Sequence, residues 1–290
     1  MPDYTLAIGP EWEGRTVRAA ALSLLSSGQF KRAKFEGLIT LDGVPVHADA
    51  RLRAGQTLYL SIPEPEREAP LPISMPLRVP YEDALFWMID KPAPLPTACS
   101  ARQDGPTLEN AVYALAGCPR PFVYRPVNRL DKGTSGLLLV AKTAQAQYLL
   151  QRLLHTEDFV REYLAVVDGE PPAAEGVIDL PIGKADGATI KREVRADGRE
   201  ARTHYRVLQT GGGRSLLRLR LQTGRTHQIR VHLSALGCPV TGDFLYGAER
   251  PDLLPGRFAL HSASIRLRHP QTGLWITRES PLPPALRALL

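Results

Sequence analysis

SLLRLRLQTGRTHQIRVHLSALG, residues 215–237, changes its hydrophobic period once along its length. Over 215–222, Leu217, Leu219 and Leu221 alternate with Arg218 and Arg220, the period of a strand with one buried and one cationic face. From Thr226 a helix is expected, because Ile229, Leu233 and Leu236 fall at helical spacing and Gly237 stops it. The same reading carried outward gives strands at ALFWMID (84–90), SGLLLVAK (135–142) and REYLAVVDG (161–169). Between the last two, Thr143 caps a helix over AQAQYLLQRLLH, whose Leu149, Leu150, Leu153 and Leu154 share one side. Strands outnumber helices and do not alternate with them regularly. The expected fold is therefore α+β, a mixed and largely antiparallel sheet with flanking helices over residues 81–290.

Ahead of it, residues 63–80 read PEPEREAPLPISMPLRVP, and six prolines in eighteen residues exclude a helix interior or a central strand. This stretch is expected to be an extended linker. Residues 1–62 then form a small α/β module: short helices over 16–25 and 28–35, a hairpin at LITLDGVPV turning at Asp42-Gly43, and a strand at AGQTLYLSI. Lys31, Arg32 and Lys34 cluster on its second helix, either a solvated face or a contact for a polyanion.

The 290 residues are 43% hydrophobic and 23% charged, a globular composition that excludes disorder throughout. Apolar runs such as 85–89 fall far short of the roughly 18 residues that span a bilayer, and three acids precede the first base. A cytoplasmic location without membrane association is expected. Cys99, Cys118 and Cys238 are scattered and odd in number, which argues against disulfides or a zinc ribbon. The net charge of +6 permits a polyanionic partner without demanding one.

Two stretches carry chemistry. In NRLDKGTSGLLLVAK (128–142), Asp131 sits on a loop of small residues directly before an apolar strand, so its carboxylate is accessible while the strand fixes its position. Arg129 and Lys132 flank it. In GRTHQIRVH (224–232), Gly224 and Arg225 join the cationic strand to a helix N-terminus, which favours anions. Five arginines and no acid lie between Arg214 and His232. His227 and His232 stand five apart, on different helix faces, so no metal site is expected and hydrogen-bonded histidines are the simpler reading. Taken alone, Asp131 is either catalytic or a solvated turn residue.

Together these stretches resemble the RluA-type family of RNA pseudouridine synthases. RLDKGTSGLLLVAK is followed about ninety residues later by GRTHQIRVHLSALGCPVTGDFLYG, with REYLAVVDG between them, DKPAPLPT (90–97) before them and KREVRADGREARTHYRVL (191–208) leading into the arginine motif. Residues 12–62 more weakly resemble the α-L type of RNA-binding domain shared with a small-subunit ribosomal protein. The chain departs from the family at Asn128, where His is usual, at Gly133, where Asp is usual, and at Pro94, where Gly is common.

The resemblance implies an isomerase that detaches uracil from its ribose and rejoins it through carbon 5, with no redox change and no cofactor or metal. Asp131 matches the essential aspartate, attacking the anomeric carbon or assisting a glycal-like route. Arg225 matches its basic partner, giving an expected Asp131–Arg225 ion pair. Tyr163 matches the tyrosine that stacks on the base and takes the carbon-5 proton. The uridine must be extruded from its stack to reach the loop. Arg129, Lys132, Arg218, Arg220 and Arg230 are the expected RNA-binding surface. The implied partner is RNA, ribosomal or transfer, with no obligate protein partner. Two other readings are a noncatalytic RNA-binding or assembly factor on the same scaffold, and a nucleotide hydrolase using Asp131 and a histidine.

Overall fold

The structure, a computed structural model, describes residues 3–64, 68–100 and 105–290. The first sixty residues make a four-stranded antiparallel sheet in the order β1-β4-β2-β3, from β1 (Asp3–Ala7), β2 (Leu38–Leu41), β3 (Val44–Pro45) and β4 (Thr57–Ser61). Helices α1 (Val17–Leu24) and α2 (Ser27–Glu36) precede the hairpin, each capped by the residue before it, Thr16 and Ser26. Leu25, Leu52, Leu58 and Leu60 close a core of their own between helices and sheet. Asp42 and Gly43 both take positive φ at the hairpin turn, which is why the Asp-Gly pair stands there.

The rest of the chain builds one nine-stranded sheet. Its strands are β5 (Arg78–Glu82), β6 (Phe86–Lys91), β7 (Ser135–Ala141), β8 (Phe159–Asp168), β9 (Glu175–Asp179), β12 (Arg202–Gly211), β13 (Arg214–Leu221), β14 (Leu260–Arg268) and β15 (Trp275–Glu279). They run β5-β6-β7-β14-β8-β13-β12-β9, and β15 pairs with β14. Every pairing is antiparallel except β7 with β14, so the sheet is mixed and largely antiparallel, as expected. A separate hairpin, β10 (Ile182–Lys184) and β11 (Arg192–Val194), stands beside helix α5 (Gln228–Ala235). Helices α3 (Leu108–Leu115), α4 (Ala144–Leu153) and α6 (Pro284–Arg287) complete the chain.

The proline-rich stretch differs from a free spacer. Its end, Arg78 to Pro80, already lies in edge strand β5, where a proline costs no interior ladder bond. Asn110 Nδ2 donates to the Leu71 carbonyl and Ile73 N–H to the Asn110 carbonyl, while Glu64 pairs with buried Arg125, so the stretch is tied down at Glu64, Leu71 and Ile73; residues 65–67 lie outside the described residues. The N-terminal unit rests on the same surface, with the Tyr148 hydroxyl of α4 donating to the Leu22 carbonyl at 3.3 Å.

Helix α5 begins at Gln228, two residues later than the apolar spacing suggests. His227 takes a left-handed conformation (φ 57°), so the chain reverses there before the helix starts. The Gln228 side chain fills the gap, accepting from Thr223 and from the Arg225 N–H and donating to the Arg202 carbonyl.

Candidate active site

Strand β7 delivers the Asp131 loop to the middle of the sheet. Gly136, at φ 104°, lies so close to β14 that a Cβ there would be 2.2 Å from the Ser262 carbonyl oxygen, and this close approach seats the loop. Buried Asn128 pins the other end by accepting the Leu139 N–H at 3.0 Å. The early DKPAPLPT motif forms the cradle underneath: Leu95 N–H donates to the Lys132 carbonyl, and the Thr97 hydroxyl to the Leu130 carbonyl. Lys91 is 1% exposed and donates to the carbonyls of Leu95 (2.7 Å) and Pro92 (3.0 Å). Burial pushes its ammonium pKa down to about 7, against the pull of nearby Asp131.

The carboxylate at the top of this loop opens into a cleft of about 680 Å³. Asp131 Oδ2 accepts from Arg230 Nη1 at 2.9 Å, a charge-assisted bond. The expected Asp131–Arg225 pair is therefore corrected: Arg225 turns its Nε to the Glu200 carbonyl at 2.9 Å, and the guanidinium that reaches Asp131 is Arg230. The reversal at His227 is the physical reason, because it leaves Arg225 in the preceding loop while the first turn of α5 carries Arg230 inward. Arg230 is correspondingly not a surface contact. It is 2% exposed, its Nε and Nη2 grip both oxygens of Asp243 at 2.7 and 2.8 Å, and the ring of Phe258 lies 4.2 Å from its guanidinium carbon. Burial opposes its charge, but the bonds to Asp243 and Asp131 win and raise its pKa. Asp243, fully buried, is itself fixed by the N–H groups of Leu245 and Tyr246.

Gly133, where the family usually has aspartate, has a packing reason in this chain. A Cβ there would come within 2.6 Å of the Phe258 ring, the ring that covers Arg230.

The second oxygen of Asp131 is left to the cleft. His227 Nε2 stands 3.9 Å from Oδ1, and its Nδ1 meets the Tyr246 hydroxyl at 2.8 Å. Burial lowers the His227 pKa although Asp131 pulls it upward, which keeps the ring neutral near pH 7. His232 belongs to a different place, hydrogen-bonded between Thr203 and the Leu180 carbonyl.

Tyr163 lines the same cleft from β8 with Leu130, Ile229 and Leu260; it is 4% exposed, and among the described residues its hydroxyl has no hydrogen-bond partner. Arg129 and Lys132, both exposed, sit on the rim. Arg218 and Arg220 do not join them. Leu219 pairs with Tyr163 across the ladder and shares its face, so the two arginines project from the opposite side of the sheet, where Arg220 meets Glu157 at 3.1 Å. The site thus unites Asp131 and Tyr163 with Arg129, Lys132, Arg225 and Arg230. Sequence reasoning missed Lys91, Asp243 and the aromatic cover. One signal was available for Arg230, which stands three residues before Leu233 on the inward side of α5.

A sequence profile described as RNA pseudouridylate synthase matches residues 86–235. An "Uncharacterized RNA pseudouridine synthase" of Chloroflexus aurantiacus is 40% identical over 94% of this chain and 87% of its own length. A "Ribosomal large subunit pseudouridine synthase D" of Nitrosomonas europaea is 37% identical over 90% of this chain and 80% of its own. Among solved structures, "Human RNA Pseudouridylate Synthase Domain Containing 1" superposes with a TM-score of 0.60 at 27% identity, covering 73% of this chain and 87% of that one. The chain belongs to the RNA pseudouridylate synthases of the RluA type, and its activity is the isomerisation of uridine in RNA. This sets aside the noncatalytic and hydrolase readings.

Proposed function

We propose that this synthase modifies uridine in large-subunit ribosomal RNA, with Asp131 as its essential group. The observation that carries the assignment of Asp131 is the division of labour between its oxygens: Oδ2 is held by buried Arg230, and Oδ1 faces the cleft. A carboxylate fixed by one oxygen presents the other in a single orientation, which a nucleophile or charge stabiliser needs. The extruded uridine enters between Asp131 and Tyr163. Asp131 attacks the anomeric carbon or assists departure of uracil by a glycal-like route; either leaves the base free to turn and bond through carbon 5.

Tyr163 supplies its ring face to the detached base, and its hydroxyl, without a hydrogen-bond partner among the described residues, relays the carbon-5 proton outward while N1 of the rejoined base gains one, so that no net proton is lost. Arg230 acts through Asp131 and positions it. Arg129 and Lys132 on the rim meet the RNA backbone. The N-terminal unit adds to this surface, since Arg32 of α2 shares a cavity with Gln151 of α4, and Gln151 also lines the cleft. The ribosomal target is supported by the name of the Nitrosomonas relative. The test is to incubate the purified chain with unmodified large-subunit, small-subunit and transfer RNA transcripts and map pseudouridine in each. Pseudouridine at discrete positions of the large-subunit transcript is expected; modification confined to transfer RNA would overturn the target.

A further inference from the structure

A second charged group stands in the cleft that the isomerisation does not use. Arg161 lies two residues before Tyr163 on β8, hence on the same face and roughly 7 Å along the strand. It is 7% exposed and lines the cleft, yet among the described residues it has neither a hydrogen bond nor an ion pair; its one contact of note is the Phe159 ring at 5.5 Å. Its guanidinium nitrogens keep access to the cleft and have no acceptor among the described residues, so its donors are free for a ligand there.

The surroundings say which kind. Arg225 and His155 line the same end of the cleft, and among the described residues the Arg225 side chain has only the Glu200 carbonyl on its Nε. Both guanidiniums lower the His155 pKa after burial has done so, which places two uncompensated positive charges beside that ring. Gly224 roofs the cluster without needing glycine's conformational freedom. A Cβ there would stand 2.8 Å from His155 Cε1 and 3.6 Å from Arg161 Nη2, so the His155 ring packs directly on the Gly224 backbone and stays beside Arg161 only while that position has no side chain.

We propose that Arg161, with Arg225 and His155 beside it, binds an internucleotide phosphate of the RNA next to the uridine that lies between Asp131 and Tyr163. The inference rests on the proposed seating of the uridine for which phosphate is bound, and on the cleft alone for the anion. Arg161 donates its planar fork to the non-bridging oxygens, Arg225 adds the second charge, and the neighbouring His155 ring reports on the occupied site.

The probe is uridylyl-uridine, a dinucleotide with a single phosphodiester, titrated into the full chain while the ring signals of His155 are followed by NMR and assigned by their loss in His155→Gln. The uncharged methylphosphonate analogue and inorganic phosphate are titrated in parallel. The dinucleotide is expected to move the His155 signals in a saturable way and the methylphosphonate to leave them still. Arg161→Gln should weaken the response by about tenfold or more, the loss of a charge-assisted pair. Gly224→Ala keeps Arg161 and should weaken the response by forcing the His155 ring aside, which covers the case in which Arg161→Gln does not fold. An equal response to the methylphosphonate, or one unchanged in both Arg161→Gln and Gly224→Ala, would overturn the site. Inorganic phosphate binding as tightly as the dinucleotide would overturn RNA as its source. The catalytic assignment is tested by turnover of Asp131→Asn, which involves neither Arg161 nor Gly224, so its failure and the failure of this site are read separately.

Discussion

Replacing Arg230 with methionine separates the stability of the site from its chemistry. Among the described residues, the substitution leaves fully buried Asp243 with only the N–H groups of Leu245 and Tyr246, while Asp131 keeps 30% of its side chain in water. Breaking a buried ion pair from one side costs about 3–5 kcal/mol, and the two surviving backbone bonds put Arg230→Met toward the lower end. At roughly 2–4 °C per kcal/mol for a chain of this size class, the melting temperature should fall by on the order of 10 °C. Adding Asp243→Asn removes the stranded charge while its amide oxygen still accepts both N–H groups, so most of that loss should return. Turnover should not return, because Asp131 still lacks the guanidinium that fixes Oδ2. Calorimetry and single-turnover pseudouridine formation on the same preparations measure both. An Arg230→Met chain as stable as the parent, or a double variant with restored turnover, would refute the reasoning.

Other consequences follow from the same geometry. Tyr163→Phe keeps the ring and removes the hydroxyl, so RNA binding should persist while turnover falls by about 10²-fold or more; full turnover would remove the proton role. Lys91 titrates near 7 in the folded chain against an ordinary value of 10.5, so between these the unfolded chain holds a proton that the folded chain does not. Stability should therefore rise with pH by up to about 1.4 kcal/mol per unit across that window, and urea midpoints of Lys91→Met should lack that rise. Buried His232 and His261 also have lowered pKa values, so stability should fall further as pH drops through 6.5; a flat profile there would contradict their burial. Arg129→Gln should weaken RNA binding and reduce its salt dependence, whereas Arg218→Gln and Arg220→Gln, on the far face, should change affinity less than twofold; filter binding at several salt concentrations distinguishes them.

How far the sequence carried depends on what kind of contact made each feature. Strand and helix periods, the Asp42-Gly43 hairpin and the mixed antiparallel sheet follow from local patterns, and all are present. The placement of Asp131 before an apolar strand was legible for the same reason. The partner of Asp131 was not, because Arg225 and Arg230 stand five residues apart and only the left-handed turn at His227 decides which one faces the cleft. Asp243 and Phe258 reach the site from loops distant in sequence, and no period reports such contacts. Arg218 and Arg220 show the converse: their alternation with leucine gives a cationic face correctly, but strand pairing with Tyr163 determines that this face looks away from the cleft.

The central assignment is Asp131 as the group that makes pseudouridine, and it is tested by a pseudouridine map of total RNA. Cells carrying the parent chain are compared with cells carrying Asp131→Asn at equal expression. One or a few uridines of the large-subunit ribosomal RNA should be pseudouridine in the first and unmodified in the second. Persistence of every site with Asp131→Asn, no other synthase covering them, would contradict the role given to Asp131.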